Sequence, residues 1–235
     1  MSLGVQSFQN SQLERLGRIH NSDQAHEAIE LAKKAGFGNF NLDLMHGLPG
    51  QSVENACQDI EAALSHRPTH LSWYQLTIEP NTVFHSKPPQ LPLEDTLADI
   101  QHGGEKVLSD AGFKQYEVSA YHQSDLTCRH NLNYWNFGDY LGIGAGAHGK
   151  VTLINGEIVR YSKRKQPGEY IGNSETSFHS QTRVLLLEDI PGEFMMNALR
   201  LKTGFSLQGF EAATGLPTQS IQAVLDKLLE KKLLQ

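Results

Sequence analysis

Hydrophobic residues recur along the first 120 positions with two alternating periods, one typical of strands and one typical of helices. Strand-like runs are predicted at 2–6, 40–45, 70–77 and 115–119, and helices at about 22–35, after Ser52, and at 93–111. This alternation predicts parallel βαβ units, in which ligands bind at the carboxyl ends of the strands. Gln6, Asp43 and Thr77 lie at or near those predicted ends.

The helix after Ser52, which is its predicted N-cap, carries apolar residues at helical spacing on one face. Cys57 falls on this stripe, so we expect it in the hydrophobic core.

The alternation stops after residue 120. Asn155-Gly156 predicts a type I′ hairpin over 151–161, and the chain has a helical pattern from about 182. A short helix at 206–213 and a last helix opened by Pro217 resemble a winged-helix or helix-turn-helix module. The pattern therefore predicts three parts, 1–120, 121–180 and 181–235.

Composition narrows the class of protein. A hydrophobic content of 39% with 20% charged residues is typical of a soluble globular protein, and the formal net charge of −6 disfavours a general nucleic-acid binder. With two cysteines, and neither a long apolar run nor a secretory signal, the sequence predicts a cytoplasmic protein with no transmembrane segment. Peripheral membrane contact stays open.

A glycine run at 144–149 matches two nucleotide-binding patterns only superficially. A dinucleotide or phosphate loop must open a helix, whereas this run leads into a predicted hairpin, and Val151 lacks the hydroxyl that a phosphate loop needs for magnesium. We therefore exclude both nucleotide interpretations. Glycines here would instead let the backbone approach a flat ligand closely.

Just upstream lie His130, Asn131, Tyr134 and Trp135, preceded by Cys128 in a predicted polar loop. Imidazole and thiolate are both axial ligands of haem iron, and aromatic rings stack on planar macrocycles. From the residues alone, His130 is either a structural loop histidine or a metal ligand.

Six stretches together resemble one known family. They are SLGVQSF (2–8), LGRIH (16–20), NLDLMHGLPGQS (41–52), HLSWYQLTIEPNT (70–82), QYEVSAY (115–121) and HNLNYWNFGDYLGIGAGAHGK (130–150). In order and spacing the sequence resembles the oxygen-independent coproporphyrinogen-III oxidase-like radical S-adenosylmethionine proteins, and among them the HemW branch of haem chaperones. The resemblance implies an α/β fold: the second half of a radical SAM (β/α) barrel, with a C-terminal α+β, winged-helix-like domain.

The resemblance also implies site residues. S-adenosylmethionine would be bound by Gln6, by Arg18 in the helix that follows the first strand, and by Asp43, with Thr77 and His148 at further pocket positions. The pattern HNxxYW, here His130, Asn131, Tyr134 and Trp135, is associated with haem binding in the chaperone branch. His130 is then the candidate iron ligand, and Cys128 is the competing candidate.

One departure from the family pattern is large. The family holds a [4Fe–4S] cluster on a C-x-x-x-C-x-x-C loop, and such a cluster needs three thiolates. This chain has two cysteines, Cys57 and Cys128, so the cluster cannot form from its residues alone. We therefore expect the N-terminal half of the barrel, with the cluster loop, to be missing.

Three functions remain to be compared. The first is a chaperone fragment that binds haem and passes it to acceptor apoproteins. The second is oxygen-independent coproporphyrinogen III oxidase activity in porphyrin biosynthesis, which the missing cysteines disfavour for this chain. The third is a non-enzymatic interaction module, in which the terminal helices contact a partner.

Overall fold

The computed structural model describes residues 1–172 and 178–233, which belong to two compact units, Met1–Thr127 and Cys128–Gln235. No helix in these described ranges has the length and apolar character needed to cross a membrane. The division into 1–120, 121–180 and 181–235 stays a prediction.

The first unit is a five-stranded sheet with helices. Its elements are β1 (Ser2–Gln6), α1 (Asn10–Arg15), α2 (Ser22–Lys34), β2 (Asn41–His46), α3 (Val53–Ser65), β3 (His70–Gln75), α4 (Val83–Ser86), α5 (Glu94–Asp110), β4 (Lys114–Glu117) and β5 (Ala120–His122). The strand order is β1-β2-β3-β5-β4. The predicted parallel pairing is confirmed for β1, β2 and β3.

The predicted pairing of the fourth strand is wrong. The chain turns back after β4, and β5 inserts antiparallel between β3 and β4. β5 has three residues, too few to show an alternating pattern, so periodicity could not reveal it.

The two faces of this sheet differ in chemistry because side chains alternate along each strand. Leu42, Leu44, Leu71 and Trp73 project toward the helices and are at most 2% exposed. α5 approaches the sheet so closely that a Cβ on Gly104 would lie 2.0 Å from the Trp73 ring.

The opposite face carries a row of polar side chains centred on Asn41. The Asn41 amide donates to Ser2 Oγ and to Asp43 Oδ1, both at 2.8 Å. Its oxygen lies 2.7 Å from His70 Nδ1 and accepts from Ser72 Oγ at 3.2 Å. Polar groups therefore line this face of the sheet from β1 to β3.

A capping residue begins α3 where the sequence predicts it. Ser52 accepts from the backbone N–H of Asn55 and begins α3 with a capping box. The sequence predicts Cys57 of this helix in the core, and this prediction is wrong because the residue is only half-buried. Its side chain lies at the boundary of the apolar stripe of α3.

The second unit combines a three-stranded antiparallel sheet, β6-β7-β8, with helices. Its elements are α6 (Arg129–Trp135), β6 (His148–Thr152), β7 (Ile158–Lys163), α7 (Pro167–Gly172), β8 (His179–Val184), α8 (Ile190–Ala198), α9 (Leu207–Thr214) and α10 (Gln219–Glu230). Phe137 and Ile158 pack in one core with Ile190, Phe194 and Phe210.

The predicted hairpin is present as β6 and β7, but its turn is not type I′. Gly156 donates to the Leu153 carbonyl and has a φ of +86°, while Asn155 is not among the residues of positive φ. A type I turn followed by a left-handed glycine therefore joins the strands.

Two further expectations in this unit are wrong. Residues 182–184 were expected to be helical but belong to β8. This strand is mostly polar and exposed, so no apolar alternation marks it in the sequence. The HNxxYW segment, expected in a loop, forms the short helix α6. The last two helices are confirmed, with Gly215 in the left-handed conformation after α9.

Candidate functional site

The first candidate site lies around the end of β1. Gln6 is the last residue of the strand and has a φ of +69°, a conformation that is strained for a residue other than glycine. Its side-chain nitrogen lies 2.9 Å from the point that a Cβ on Gly4 would occupy. Gly4 pairs with Asp43 of β2, so the Gln6 amide lies over the strand beside that residue.

Tyr74, which the sequence did not single out, connects the predicted residues. Its hydroxyl donates to Gln6 Oε1 at 3.3 Å. Burial raises the pKa of Tyr74, the Asp43 carboxylate raises it further, and the Gln6 hydrogen bond and the Arg18 guanidinium act in the opposite direction. Gln6, Asp43 and Arg18 therefore all act on one hydroxyl group.

Arg18 and Thr77 line one cavity of about 270 Å³, together with Met45 and Glu79. Arg18 is exposed and lies after α1, in the segment that precedes α2, rather than in a helix. Its position is fixed by the backbone, because its N–H donates to the Leu13 carbonyl in the turn that ends α1. The Thr77 hydroxyl donates to Glu79.

Asp43 is in the middle of β2 rather than at the carboxyl end of the strand, where the sequence predicts it. It accepts hydrogen bonds from Ser2 Oγ at 2.7 Å and from Asn41 at 2.8 Å. These donors hold the carboxylate on the polar face of the sheet, where it can accept from an ammonium or hydroxyl group.

The second candidate site is α6. His130 and Tyr134 are four residues apart and therefore lie on one side of the helix. Their rings meet edge to face, with centroids 4.7 Å apart and an interplanar angle of 84°. His130 is exposed, and within the described residues its imidazole has no hydrogen-bond partner. The ring nitrogens are thus free to bind a metal.

A different side of α6, which carries Trp135, packs against the protein itself. Trp135, four residues after Asn131, lies under the guanidinium of Arg200 at 4.3 Å. Cys128, the competing ligand, is the half-buried N-cap residue of the same helix. The Tyr134 ring also contacts Tyr140, with centroids 4.5 Å apart, and Tyr140 forms an isolated bridge with Lys150 of β6.

Within the glycine run, Gly149 packs against its own chain, because an added Cβ there would overlap the Tyr161 ring. Gly142, two residues before the run, lies equally close to the His148 carbonyl, so internal packing requires both of these glycines. Gly144 and Gly146 differ: both have a positive φ, and an added Cβ would meet nothing within 4 Å at Gly144 and only ordinary contacts at Gly146. At these two positions the close approach of a ligand stays a prediction.

His148, predicted for S-adenosylmethionine, lies in the second unit at the start of β6 and is exposed. It lines a cavity with Tyr140, Arg160, Gln181 and Arg183. The arginines lie 23 positions apart in the sequence (183 − 160), and no local motif joins them, so sequence inspection could not find this cavity.

The two cysteines do not fit a [4Fe–4S] cluster. Cys57 is on α3 of the first unit, where burial raises the pKa of its thiol, and Cys128 belongs to the second unit. Two thiolates are fewer than the three that the cluster requires. Within the described residues, no group of three or more His, Cys, Asp and Glu side chains could hold a metal ion.

Comparisons with known proteins agree on one group of relatives. The heme chaperone HemW of Haemophilus influenzae is 48% identical over 98% of this chain, and HemW of Escherichia coli K12 is 48% identical over 97%. HemW of Bacillus subtilis is 32% identical over the whole chain. This chain spans about 60% of the length of each of the first two relatives.

A family model and a solved structure point the same way. The model of the HemN C-terminal domain matches residues 185–235. The structure of coproporphyrinogen III oxidase (HemN) from Escherichia coli, a radical SAM enzyme, superposes on 92% of this chain and 52% of its own, with a TM-score of 0.72 and 18% identity. This likeness confirms the radical SAM fold predicted from the sequence.

Proposed function

Because the chain belongs to the HemW family, within the HemN-like radical SAM proteins, we propose that it is a haem-binding portion of a haem chaperone. In this proposal the intact protein holds haem and transfers it to acceptor apoproteins. The observation that carries the proposal is the imidazole of His130, which is exposed, lacks a hydrogen-bond partner among the described residues, and lies against Tyr134.

The geometry of α6 is suited to reversible binding. A neutral imidazole donates a ring-nitrogen lone pair to iron, and the edge-to-face contact with Tyr134 restricts the orientation of the imidazole ring. Because the side chain is exposed, an acceptor protein can approach the bound haem directly. A chaperone needs this access, whereas a permanent haem protein encloses its cofactor.

S-adenosylmethionine is proposed at the first site. Gln6 and Asp43 offer acceptors for its ammonium and ribose hydroxyl groups, Arg18 offers a guanidinium for its carboxylate, and Thr77 lies in the same cavity as Arg18. The Tyr74 hydroxyl fixes the Gln6 amide. When bound with a cluster, the cofactor supplies radical chemistry in this family, and the residues of this chain would bind and orient it.

Haem titration followed by the Soret band tests the proposal. We expect His130→Ala to raise the Kd for hemin at least about tenfold, because the variant loses the iron ligand. A tenfold change corresponds to about 1.4 kcal/mol of binding free energy. His102→Ala, which removes an exposed histidine on α5, is the matched control and should bind like the unchanged protein.

A second variant separates the two candidate ligands. Cys128→Ser should retain both the affinity and the position of the Soret band if the imidazole binds the iron. If Cys128→Ser abolishes binding while His130→Ala retains it, the thiolate is the ligand and the assignment to His130 is wrong.

A cytoplasmic location is proposed as well. The two cysteines are both free, which agrees with a reducing compartment.

A further inference from the structure

The cavity of the second unit is built on its antiparallel sheet. It has a volume of about 280 Å³ and is lined mainly by polar side chains: Tyr140, His148, Arg160, Tyr161, Gln181 and Arg183. Tyr161 makes several contacts at the base of the cavity. Tyr161 fills the space beside Gly149, accepts a hydrogen bond from the Gly142 N–H at 2.9 Å and stacks on His179 at 4.7 Å.

The cavity carries a net positive charge. Arg160 and Arg183 share the single carboxylate of Glu193, with donor–acceptor distances of 2.8 Å to Oε2 and 2.7 Å to Oε1. Two guanidinium groups and one carboxylate leave a charge of +1. The Arg183 side chain is 52% exposed and makes this one hydrogen bond among the described residues, so its other N–H donors are directed to solvent or a ligand.

A row of side chains joins this cavity to the proposed haem ligand. The His130 ring contacts Tyr134 at 4.7 Å, and Tyr134 contacts Tyr140 at 4.5 Å. The Tyr140 hydroxyl in turn accepts from Arg160 Nη1 at 2.9 Å and lines the cavity. The imidazole and the arginines thus lie at the two ends of one continuous row within the same unit.

The size of the cavity restricts what it can hold. Pockets that enclose whole drug-sized ligands have volumes of about 300–1,000 Å³. At about 280 Å³ the cavity admits a substituent of a large ligand more readily than a macrocycle. A guanidinium fork matches the two oxygens of a carboxylate.

We propose that this cavity binds a propionate carboxylate of the porphyrin, with Arg183 as the principal donor and Arg160 and Gln181 beside it. The inference rests on the proposed function, because it assumes that haem binds near His130. Iron coordination then depends on the imidazole, and the recognition of the porphyrin's acidic edge depends on Arg183.

The test compares hemin with hemin dimethyl ester, in which both carboxylates are blocked. We expect the unchanged protein to bind hemin about tenfold more tightly than the ester, as for one charged hydrogen-bonded contact at a half-exposed site. Arg183→Gln should reduce hemin affinity to that of the ester and leave ester affinity unchanged. Lys202→Gln removes one exposed positive charge from the same unit outside the cavity and should change neither value.

Arg183→Lys provides a second variant that preserves the charge. It should retain part of the preference for hemin over the ester, since the ammonium can still pair with a carboxylate but loses the fork geometry. Equal loss of hemin and ester affinity in Arg183→Gln would mean that the residue acts only on the fold, and an unchanged preference would mean that the cavity does not bind the carboxylate. Either result overturns the inference.

Failure of the proposed function gives a different result. If haem binds without His130, then His130→Ala keeps its Soret band. The role of Arg183 is still tested independently, by comparing the affinities of Arg183→Gln for hemin and for the ester.

S-adenosylmethionine also carries a carboxylate, and His148 was predicted for it, so the titrations are repeated with this cofactor in excess. An unchanged preference for hemin supports the porphyrin as the source of the carboxylate, and loss of that preference assigns the cavity to the cofactor instead.

Discussion

The ammonium group of Lys150 lies 2.8 Å from Oδ1 of Asp139, and the lysine side chain is 2% exposed. The same nitrogen donates to the Phe137 carbonyl at 2.9 Å and lies 4.2 Å from the centroid of the Phe137 ring. Lys150 is the lysine of the Gly-Lys pair that resembles a phosphate loop. Because its charge is paired inside the protein, it is not available to a nucleotide, which agrees with the exclusion made from the sequence.

This pair gives the first prediction. Asp139→Ala should lower the free energy of unfolding by about 1.5–3 kcal/mol, because it leaves a buried ammonium without its anion and Thr152 without its acceptor. Urea unfolding measures the change. The exposed pair of Lys106 and Asp110 is the control, and Asp110→Ala should cost no more than about 0.5 kcal/mol. Equal losses would show that burial does not strengthen the first pair.

Gly104 gives the second prediction. In an open helix, Gly→Ala stabilises by up to about 1 kcal/mol. At Gly104 the new Cβ would overlap the Trp73 ring, so Gly104→Ala should instead destabilise by about 1–3 kcal/mol. A Cβ added to Gly192 in α8 would meet nothing within 4 Å, and Gly192→Ala is expected to be neutral or stabilising. A neutral Gly104→Ala would mean that α5 can move away from the sheet at little cost.

Regular apolar patterns allowed the main elements to be predicted. The strands β1, β2 and β3 and the helices α2, α3 and α5 have clear apolar periods, α3 also has a capping signal at Ser52, and the structure confirms these elements. The patterns could not predict β5 or β8, because β5 has three residues and β8 is polar except for Val184. Pairing of such strands is decided by tertiary contacts, which no local period records.

The candidate sites show the same limit. His130 and Tyr134 have helical spacing, yet a seven-residue helix with few apolar residues gives no usable period, so the sequence pattern predicts a loop there. Tyr74 lies in a strand that the sequence predicts, but its role depends on Gln6, 68 positions away. Contacts between distant residues of this kind are visible only in the folded chain.

The row of polar groups on the first sheet gives the third prediction. Asn41 makes four side-chain hydrogen bonds, to Ser2, Asp43, His70 and Ser72. Asn41→Ala should lower the free energy of unfolding by about 2–3 kcal/mol, since each bond contributes about 0.5–1.5 kcal/mol and the site is half-buried.

The neighbouring Asn39 is the matched control for Asn41. Its side chain is exposed and accepts one hydrogen bond, from Thr69, so Asn39→Ala should cost about 1 kcal/mol or less. Thermal unfolding monitored by circular dichroism ranks the two variants. Equal costs would mean that water replaces the Asn41 contacts without loss.

The last prediction concerns Asp59 on α3, which is 1% exposed. It accepts from Ser7 Oγ at 2.7 Å and from the Phe8 N–H at 2.8 Å. Burial raises the pKa of Asp59 to about 6, although these hydrogen bonds act in the opposite direction. The unfolded value is about 3.9, so the folded chain holds this proton more tightly than the unfolded chain does.

The sign of the pH dependence follows from this difference. Below about pH 4 both states are protonated and the contribution of Asp59 to stability is complete. Between about pH 4 and pH 6 the unfolded state releases the proton first, so the free energy of unfolding falls by up to about 3 kcal/mol, at 1.36 kcal/mol per pKa unit.

The variant Asp59→Asn tests this dependence, because its side chain cannot titrate and still offers an oxygen to the Phe8 N–H. The variant should therefore be about as stable as the unchanged protein at pH 4 and more stable than it by up to about 3 kcal/mol at pH 7, as measured by urea unfolding at both values. For Asp99→Asn, at an exposed site on α5, the difference from the unchanged protein should be the same at pH 4 and pH 7. If the difference between Asp59→Asn and the unchanged protein is the same at both pH values, the buried carboxyl is ionised throughout and its two hydrogen bonds outweigh its burial.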